Sequence, residues 1–170
     1  MKKFLLVLLV LIVIAAVVGF FLPQSYSVEE SINIQAKPSA IHDLVGDLKR
    51  WDDWTPFKDM DPSVQVTFGE KTKGVGASQT WTGKDGKGSL TFTSSDDKSG
   101  IEYDMMFDTT PAQGGVRYEP KGDTTTVTWW MKGDMGMPVL GGYFALLMPR
   151  MVGPEFQKGL AKLKQQVEKK

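Results

Sequence analysis

The chain has 170 residues, a single histidine, no cysteine, and charges that cancel, 20 basic against 20 acidic. That composition excludes disulfides, thiol nucleophiles and cysteine-built zinc sites, and the balanced charge leaves no electrostatic footprint for nucleic acid. With Lys2 and Lys3 set aside, 18 basic and 20 acidic side chains remain, a net charge near −2, so any attraction to anionic lipid is local.

An uncharged run from Phe4 to Leu22 follows the two lysines and stops at Pro23. At about 1.5 Å per helical residue it reaches roughly 28 Å, close to the ~30 Å of a bilayer's hydrocarbon core. No polar face interrupts it, which argues against a buried core helix. The competing reading is a cleaved signal, but that has an apolar region of only about 7–15 residues and a small-x-small site. Phe20-Phe21-Leu22-Pro23-Gln24 contains no such site. Residues 1–24 are therefore expected to be a single-pass transmembrane anchor whose residues 4–22 meet the lipid bilayer, and residues 25–170 one domain. The two lysines keep the N-terminus inside, which places the domain on the periplasmic or extracellular side of a bacterial cytoplasmic (inner) membrane.

Val28, Ile32 and Ile34 alternate with polar residues and predict a strand with one buried face. Pro38 then opens a helix at its first position, and Ile41, Leu44, Val45 and Leu48 follow at helical spacing. Trp51-Asp52-Asp53-Trp54-Thr55-Pro56-Phe57 reads as a loop holding two anchored indoles. From Val64 the period becomes two: Val64, Val66 and Phe68 alternate, Thr80-Trp81-Thr82 extends, and Asp85-Gly86 marks a turn to Leu90 and Phe92. Ile101, Tyr103, Met105 and Phe107 form the next inward row, against Glu102, Asp104, Met106 and Asp108. Val116 and Tyr118 precede a turn at Lys121-Gly122-Asp123. The last strand puts Val127, Trp129 and Met131 on one face and Thr126, Thr128 and Trp130 on the other. Leu140 to Val152 is apolar nearly all round, and Gly153-Pro154 is expected to restart a helix with Phe156, Leu160, Leu163 and Val167 as its apolar stripe. Strand, helix, six strands, helix is an α+β order.

Few residues offer chemistry. His42, beside Asp43 in the first helix, reads first as a polar-side residue and only secondarily as a general base. Asp104 points either to solvent or into a cavity, where burial would raise its pKa and let it move protons. Arg117 reads first as an exposed strand residue and secondarily as a partner for such a carboxylate or for an acidic ligand. No Gly-x-Ser-x-Gly elbow occurs, a lone histidine without cysteine makes no usual metal site, and no cofactor is expected. Met105, Met106, Met131, Met135, Met137, Met148 and Met151 crowd the second half, and flexible thioethers suit variable apolar ligands. Trp81 and Trp129 are the indoles expected at a cavity wall. Gly136 to Met151, nearly uncharged, suits a lid or a lipid-facing segment.

Several segments together carry a resemblance: Ala36-Lys37-Pro38, Leu48-Lys49-Arg50-Trp51-Asp52-Asp53-Trp54-Thr55-Pro56, Gly74-Val75-Gly76-Ala77, Gly88-Ser89-Leu90-Thr91, Thr126-Val127-Thr128-Trp129 and Gly153-Pro154-Glu155-Phe156. In that order the chain resembles the START-related (SRPBCC) superfamily, polyketide cyclase/dehydrase-like branch, over nearly all of residues 25–168. The resemblance implies the helix-grip fold, a curved antiparallel sheet of about seven strands around a long C-terminal helix with a cavity between. Trp81, Tyr103, Met105, Trp129, Met131, Phe156 and Leu160 would line it. It implies no particular chemistry, since one fold hosts many functions. The expected function is a membrane-anchored module that binds a hydrophobic small molecule or lipid. The alternatives are a cyclase or dehydratase using Asp104 or His42 as acid/base, and a non-catalytic envelope interaction protein.

Overall fold

The computed structural model describes residues 1–84 and 86–169; Asp85, of the expected Asp85-Gly86 turn, lies outside them. Helix α1 (Lys2–Phe21) is long and apolar enough to cross a membrane. Its side chains are almost all exposed, Gly19 being the buried residue. Leu22, which precedes Pro23, turns extended at φ −69° and ψ 138°, as sterics before proline dictate, and the chain leaves directly into strand β1 (Ser25–Ile34).

Pro38 begins α2 (Pro38–Val45), which buries Ile41, Leu44 and Val45. The expected indole loop is partly ordered: a 3₁₀ turn covers Leu48–Asp53 and a short helix α3 covers Phe57–Met60. Asp47 caps the turn by accepting from the Lys49 N–H at 3.1 Å. Trp51 Nε1 donates to the Val45 carbonyl at 2.9 Å, so the first indole ties the turn to α2.

Strands β2 (Gln65–Phe68), β3 (Ser78–Gly83), β4 (Gly86–Asp96), β5 (Gly100–Phe107), β6 (Thr110–Lys121) and β7 (Thr124–Asp134) follow. With β1 they make one seven-stranded sheet in the order β1-β7-β6-β5-β4-β3-β2, every pairing antiparallel. A register shift between Phe92 and Ser94 interrupts the β4–β5 ladder.

Helix α4 (Gly141–Glu168) is continuous. The expected restart at Gly153-Pro154 does not occur, and Pro149 and Pro154 both lie inside the helix. Each ring removes one hydrogen bond, a cost of about 3 kcal/mol in an isolated helix. Tertiary packing outweighs it: Ala145, Gly153, Phe156, Gly159, Leu160, Leu163 and Val167 are buried, while both prolines are exposed. The helix climbs alongside β1, with Gln157 Nε2 donating to Glu30 at 2.8 Å, Lys164 Nζ to the Asn33 carbonyl at 2.8 Å, and the Gln35 N–H to Glu168 at 2.8 Å. The fold is thus an α+β helix grip, its C-terminal helix laid along one side of the sheet.

Candidate functional site

Alternation sorts the sheet into two faces, and only one carries the core. On it, Trp129 stacks on Phe156 at 4.0 Å between centroids and 5° between planes. Trp54 meets Trp129 at 5.0 Å, and Trp51 meets Trp54, Phe92 and Tyr103 at 5.6, 5.9 and 5.8 Å. Trp129 Nε1 donates to Tyr103 Oη at 3.0 Å, which satisfies the polar handle of both rings, whereas the buried Trp54 Nε1 has no partner among the described residues. Burial pushes the Tyr103 phenol up to about 12, with the indole hydrogen bond pulling the other way. Glycines make room for these rings: a Cβ on Gly159 would sit 2.7 Å from Trp129, and one on Gly114 2.6 Å from Tyr103 Oη. Of the residues expected to line a cavity, Tyr103, Trp129, Met131, Phe156 and Leu160 are gathered in this packed cluster, none more than 7% exposed.

The same face continues past the cluster, and there it is only partly covered, with Leu90 and Ala112 still buried. Register places Val66, Trp81, Gly88 and Phe107 in one cross-strand row, and Phe68, Gln79, Leu90, Met105, Ala112, Gly133 and Tyr26 in the next. Val66, Phe68 and Phe107 are 36%, 39% and 43% exposed, and Trp81 and Met105 are half-buried. Trp81 leans over Gly88, where a Cβ would overlap the indole, and its centroid is 6.4 Å from that of Phe107. Helix α4 lies along β1 and β7, and the bare part of the face is β2, β3 and the near ends of β4 and β5, since Trp51 covers Phe92 and Tyr103 farther along those strands. Met148 and Val152 of α4 are only partly buried against the core. These rows lie at the end of the sheet where β1 leaves α1. A contiguous exposed apolar surface of this kind marks a place where something binds. Trp81 and Met105, among the expected residues, belong to it. Val66, Phe68 and Phe107 were missed: each carried the alternation signal, but only the strand order shows that α4 does not reach their wing.

The opposite face is polar. Ser27, Lys132, Gln113, Asp104 and Thr91 form one row across five strands, and an open concavity of about 1010 Å³ at this end of the sheet is lined by residues of both faces, Asp104, Gln113 and Lys132 from this one and Tyr26, Met105 and Ala112 from the apolar one. Asp104 is exposed here and accepts from Gln113 Nε2 at 3.1 Å. Trp130, the bulky residue on the second side of β7, lies on this face over Gly115, between Arg117 and Lys132 at 5.8 and 5.5 Å from its ring. Arg117 pairs with Glu29 at 2.8 Å, both half exposed.

His42 sits elsewhere again, on α2 at the end of the sheet away from α1. Its Nδ1 is 3.3 Å from Tyr118 Oη and its Nε2 3.3 Å from Ser95 Oγ. Burial holds its pKa below the ordinary histidine value, while Asp97, Asp96 and Asp43 pull it upward. Burial also raises the Tyr118 phenol. Asp104 and His42 are therefore on opposite faces of the sheet and do not converge. Among the described residues no group of three or more His, Cys, Asp or Glu side chains is placed to hold a metal ion.

Residues 25–168 match the family described as polyketide cyclase / dehydrase and lipid transport. The chain belongs to this family. No curated protein is similar enough to match the sequence, but solved structures share the architecture. A solution structure from Thermobifida fusca superposes with a TM-score of 0.64 at 20% identity, covering 84% of this chain and 93% of that one. Protein CV1439 from Chromobacterium violaceum gives 0.62 at 14% identity, covering 84% and 98%. The Zhui aromatase/cyclase from a Streptomyces species gives 0.60 at 13% identity, covering 85% and 94%. At such identities the likeness to these structures is one of fold; family membership itself rests on the sequence match.

Proposed function

We propose that this family member is a membrane-tethered module that takes up a hydrophobic small molecule or lipid at the open end of its grip. In this reading residues 1–24 anchor the chain, with the N-terminus inside, and residues 25–170 form the binding domain on the outer side of the cytoplasmic membrane. The observation that carries it is the uncovered row Val66–Trp81–Gly88–Phe107 beside Met105, an apolar shelf that continues the core face and ends where the chain meets α1. Each large side chain covered by an apolar ligand contributes about 1.5–3 kcal/mol of transfer energy at full burial, and proportionately less here. Flexible Met105 and Met148 let the shelf fit chains of different shape. The family's description, which includes lipid transport, supports the same ligand class.

The test places the full chain in phosphatidylcholine nanodiscs containing a fatty acid with a terminal diazirine, and maps photoadducts by mass spectrometry. Adducts are expected on the segments holding Val66, Trp81, Met105 and Phe107. The Val66→Lys/Phe107→Lys double variant, altered only at exposed positions, should lower them at least fivefold. Adducts confined to α1, or unchanged in the charged variant, overturn the reading.

A further inference from the structure

Several contacts pin the start of α4 to the last turns of α1. Tyr143 Oη donates to the Ala15 carbonyl at 2.8 Å. A Cβ on Gly19 would meet the Tyr143 ring at 2.6 Å and would overlap the Val139 carbonyl, and one on Gly142 would overlap Leu22. Glycine on both helices thus allows approach at backbone level, as between helices in a bilayer. Val139 holds φ at 68°, a conformation β-branched residues rarely adopt, and this turn lays its carbonyl on Gly19.

Those contacts set a depth. Gly19 and Ala15 lie about 5 and 10 Å back along the helix from Leu22, the end of the apolar run. If α1 crosses the bilayer, as the proposed function holds, Val139 and the Tyr143 ring are carried below the hydrocarbon boundary. From there α4 rises with Leu140, Phe144, Leu147 and Met151 exposed along one stripe, while Gly141, Gly142 and Ala145 turn inward. Between Gly136 and Gly153 the only charge is Arg150, positioned to reach lipid phosphates while its stem stays in apolar surroundings.

We propose that Met137 to Met151 is a second membrane element, seated in the leaflet that α1 enters at its C-terminal end. Leu140, Phe144, Leu147 and Met151 lie among the upper acyl chains and Arg150 at the headgroups. The inference rests on α1 spanning the bilayer. Its consequence is orientational: two elements, joined rigidly, fix the module so that the uncovered apolar rows open toward the leaflet.

The absence of cysteine makes the test clean, because one introduced thiol is the only site for a dye. Phe144→Cys, Leu147→Cys and Met151→Cys variants of the full chain carry an environment-sensitive nitrobenzoxadiazole label in phosphatidylcholine nanodiscs. Lipids spin-labelled at acyl carbon 5 or 12 quench it; Val10→Cys reports the span and Lys158→Cys the aqueous side. At least a twofold loss of emission is expected at all three α4 positions, stronger from carbon 5, with Lys158→Cys unaffected. Quenching at Val10→Cys but at none of the α4 sites overturns this inference and leaves the anchor standing. No quenching at Val10→Cys removes the anchor and the inference together. Unquenched α4 labels with disulfide cross-links between copies at Leu147→Cys assign the stripe to self-association instead, and also overturn it.

Discussion

Truncating Phe156 to alanine and truncating Trp81 to alanine should have opposite consequences, because one ring sits in the filled half of the grip and the other on its bare half. Phe156 is 3% exposed and lies flat on Trp129 at 4.0 Å. Removing a buried phenylalanine costs about 3–5 kcal/mol, combining lost transfer energy with the cavity left behind, and the lost stack falls within that sum. Neighbouring Leu160, Trp54 and Trp129 are themselves 1% exposed or less, so the hole has little room to collapse and the upper half of the range applies. For a domain of this size about 1 kcal/mol moves Tm by roughly 3–4 °C, which sets a loss of about 12–20 °C for Phe156→Ala. Trp81 is half-buried and meets one aromatic neighbour, Phe107, at 6.4 Å. Its truncation should cost about 1 kcal/mol, a shift under about 5 °C, while lowering diazirine adducts on β3 and β5 severalfold. Thermal unfolding of the full chain in a mild detergent, followed by near-ultraviolet circular dichroism, measures the first quantity and photoadduct mapping the second. A Phe156→Ala shift below about 5 °C would refute the packed interior. A Trp81→Ala loss as large as that of Phe156→Ala would refute the division of the face.

Three further outcomes follow from the same geometry. Asp104→Asn should leave stability within about 0.5 kcal/mol and adducts unchanged, since an exposed carboxylate bonded to Gln113 is all that changes; denaturant unfolding and photoadduct mapping check both. His42 is held below its ordinary pKa by burial, so the unfolded chain takes up the proton first and stability falls as pH drops from about 6.5 toward the lower folded value. His42→Gln should flatten that part of a stability–pH curve, and an unchanged slope would contradict the assignment. Gly159→Val should destabilise by about 1–3 kcal/mol through overpacking, because a Cβ alone already comes 2.7 Å from the Trp129 ring and 3.2 Å from Pro56; a Tm at or above that of the parent chain would contradict the close approach.

Much of this architecture could be read locally. The uncharged run became α1, Pro38 opened α2, and the alternating rows from Ile101 and Val127 sorted inward and outward residues as the strands show them. What could not be read depended on distant parts of the chain. Pro149 and Pro154 are local stop signals, yet α4 runs through both because a line of buried residues from Ala145 to Val167 holds it. Trp81 and Trp129 carry the same alternation and the same chemistry. They differ because α4 passes over β7 and not over β3, a fact set by strand order and loop path. Trp130 makes the last strand bulky on both sides, and Gly115 on the next strand gives the indole a shelf on the polar face.

The uneven filling of the grip bears on how ligand binding and stability can coexist. A helix grip with a fully enclosed cavity must hold its sheet open against the tendency of apolar side chains to close-pack. Here the strain is avoided by dividing the face. The α2 and α4 side is saturated by Trp51, Trp54, Trp129 and Phe156, with Tyr103 meeting the one buried indole donor that reaches it. The outer part of the face, β2 and β3 with the near ends of β4 and β5, is held by the ladder. Apolar residues left on that part raise the free energy of the empty state in water, and the open rows sit where β1 departs from α1. Under the proposed function, an anchor at that end keeps them beside hydrocarbon instead. In the proposed function the bare shelf and the tether thus belong to one arrangement.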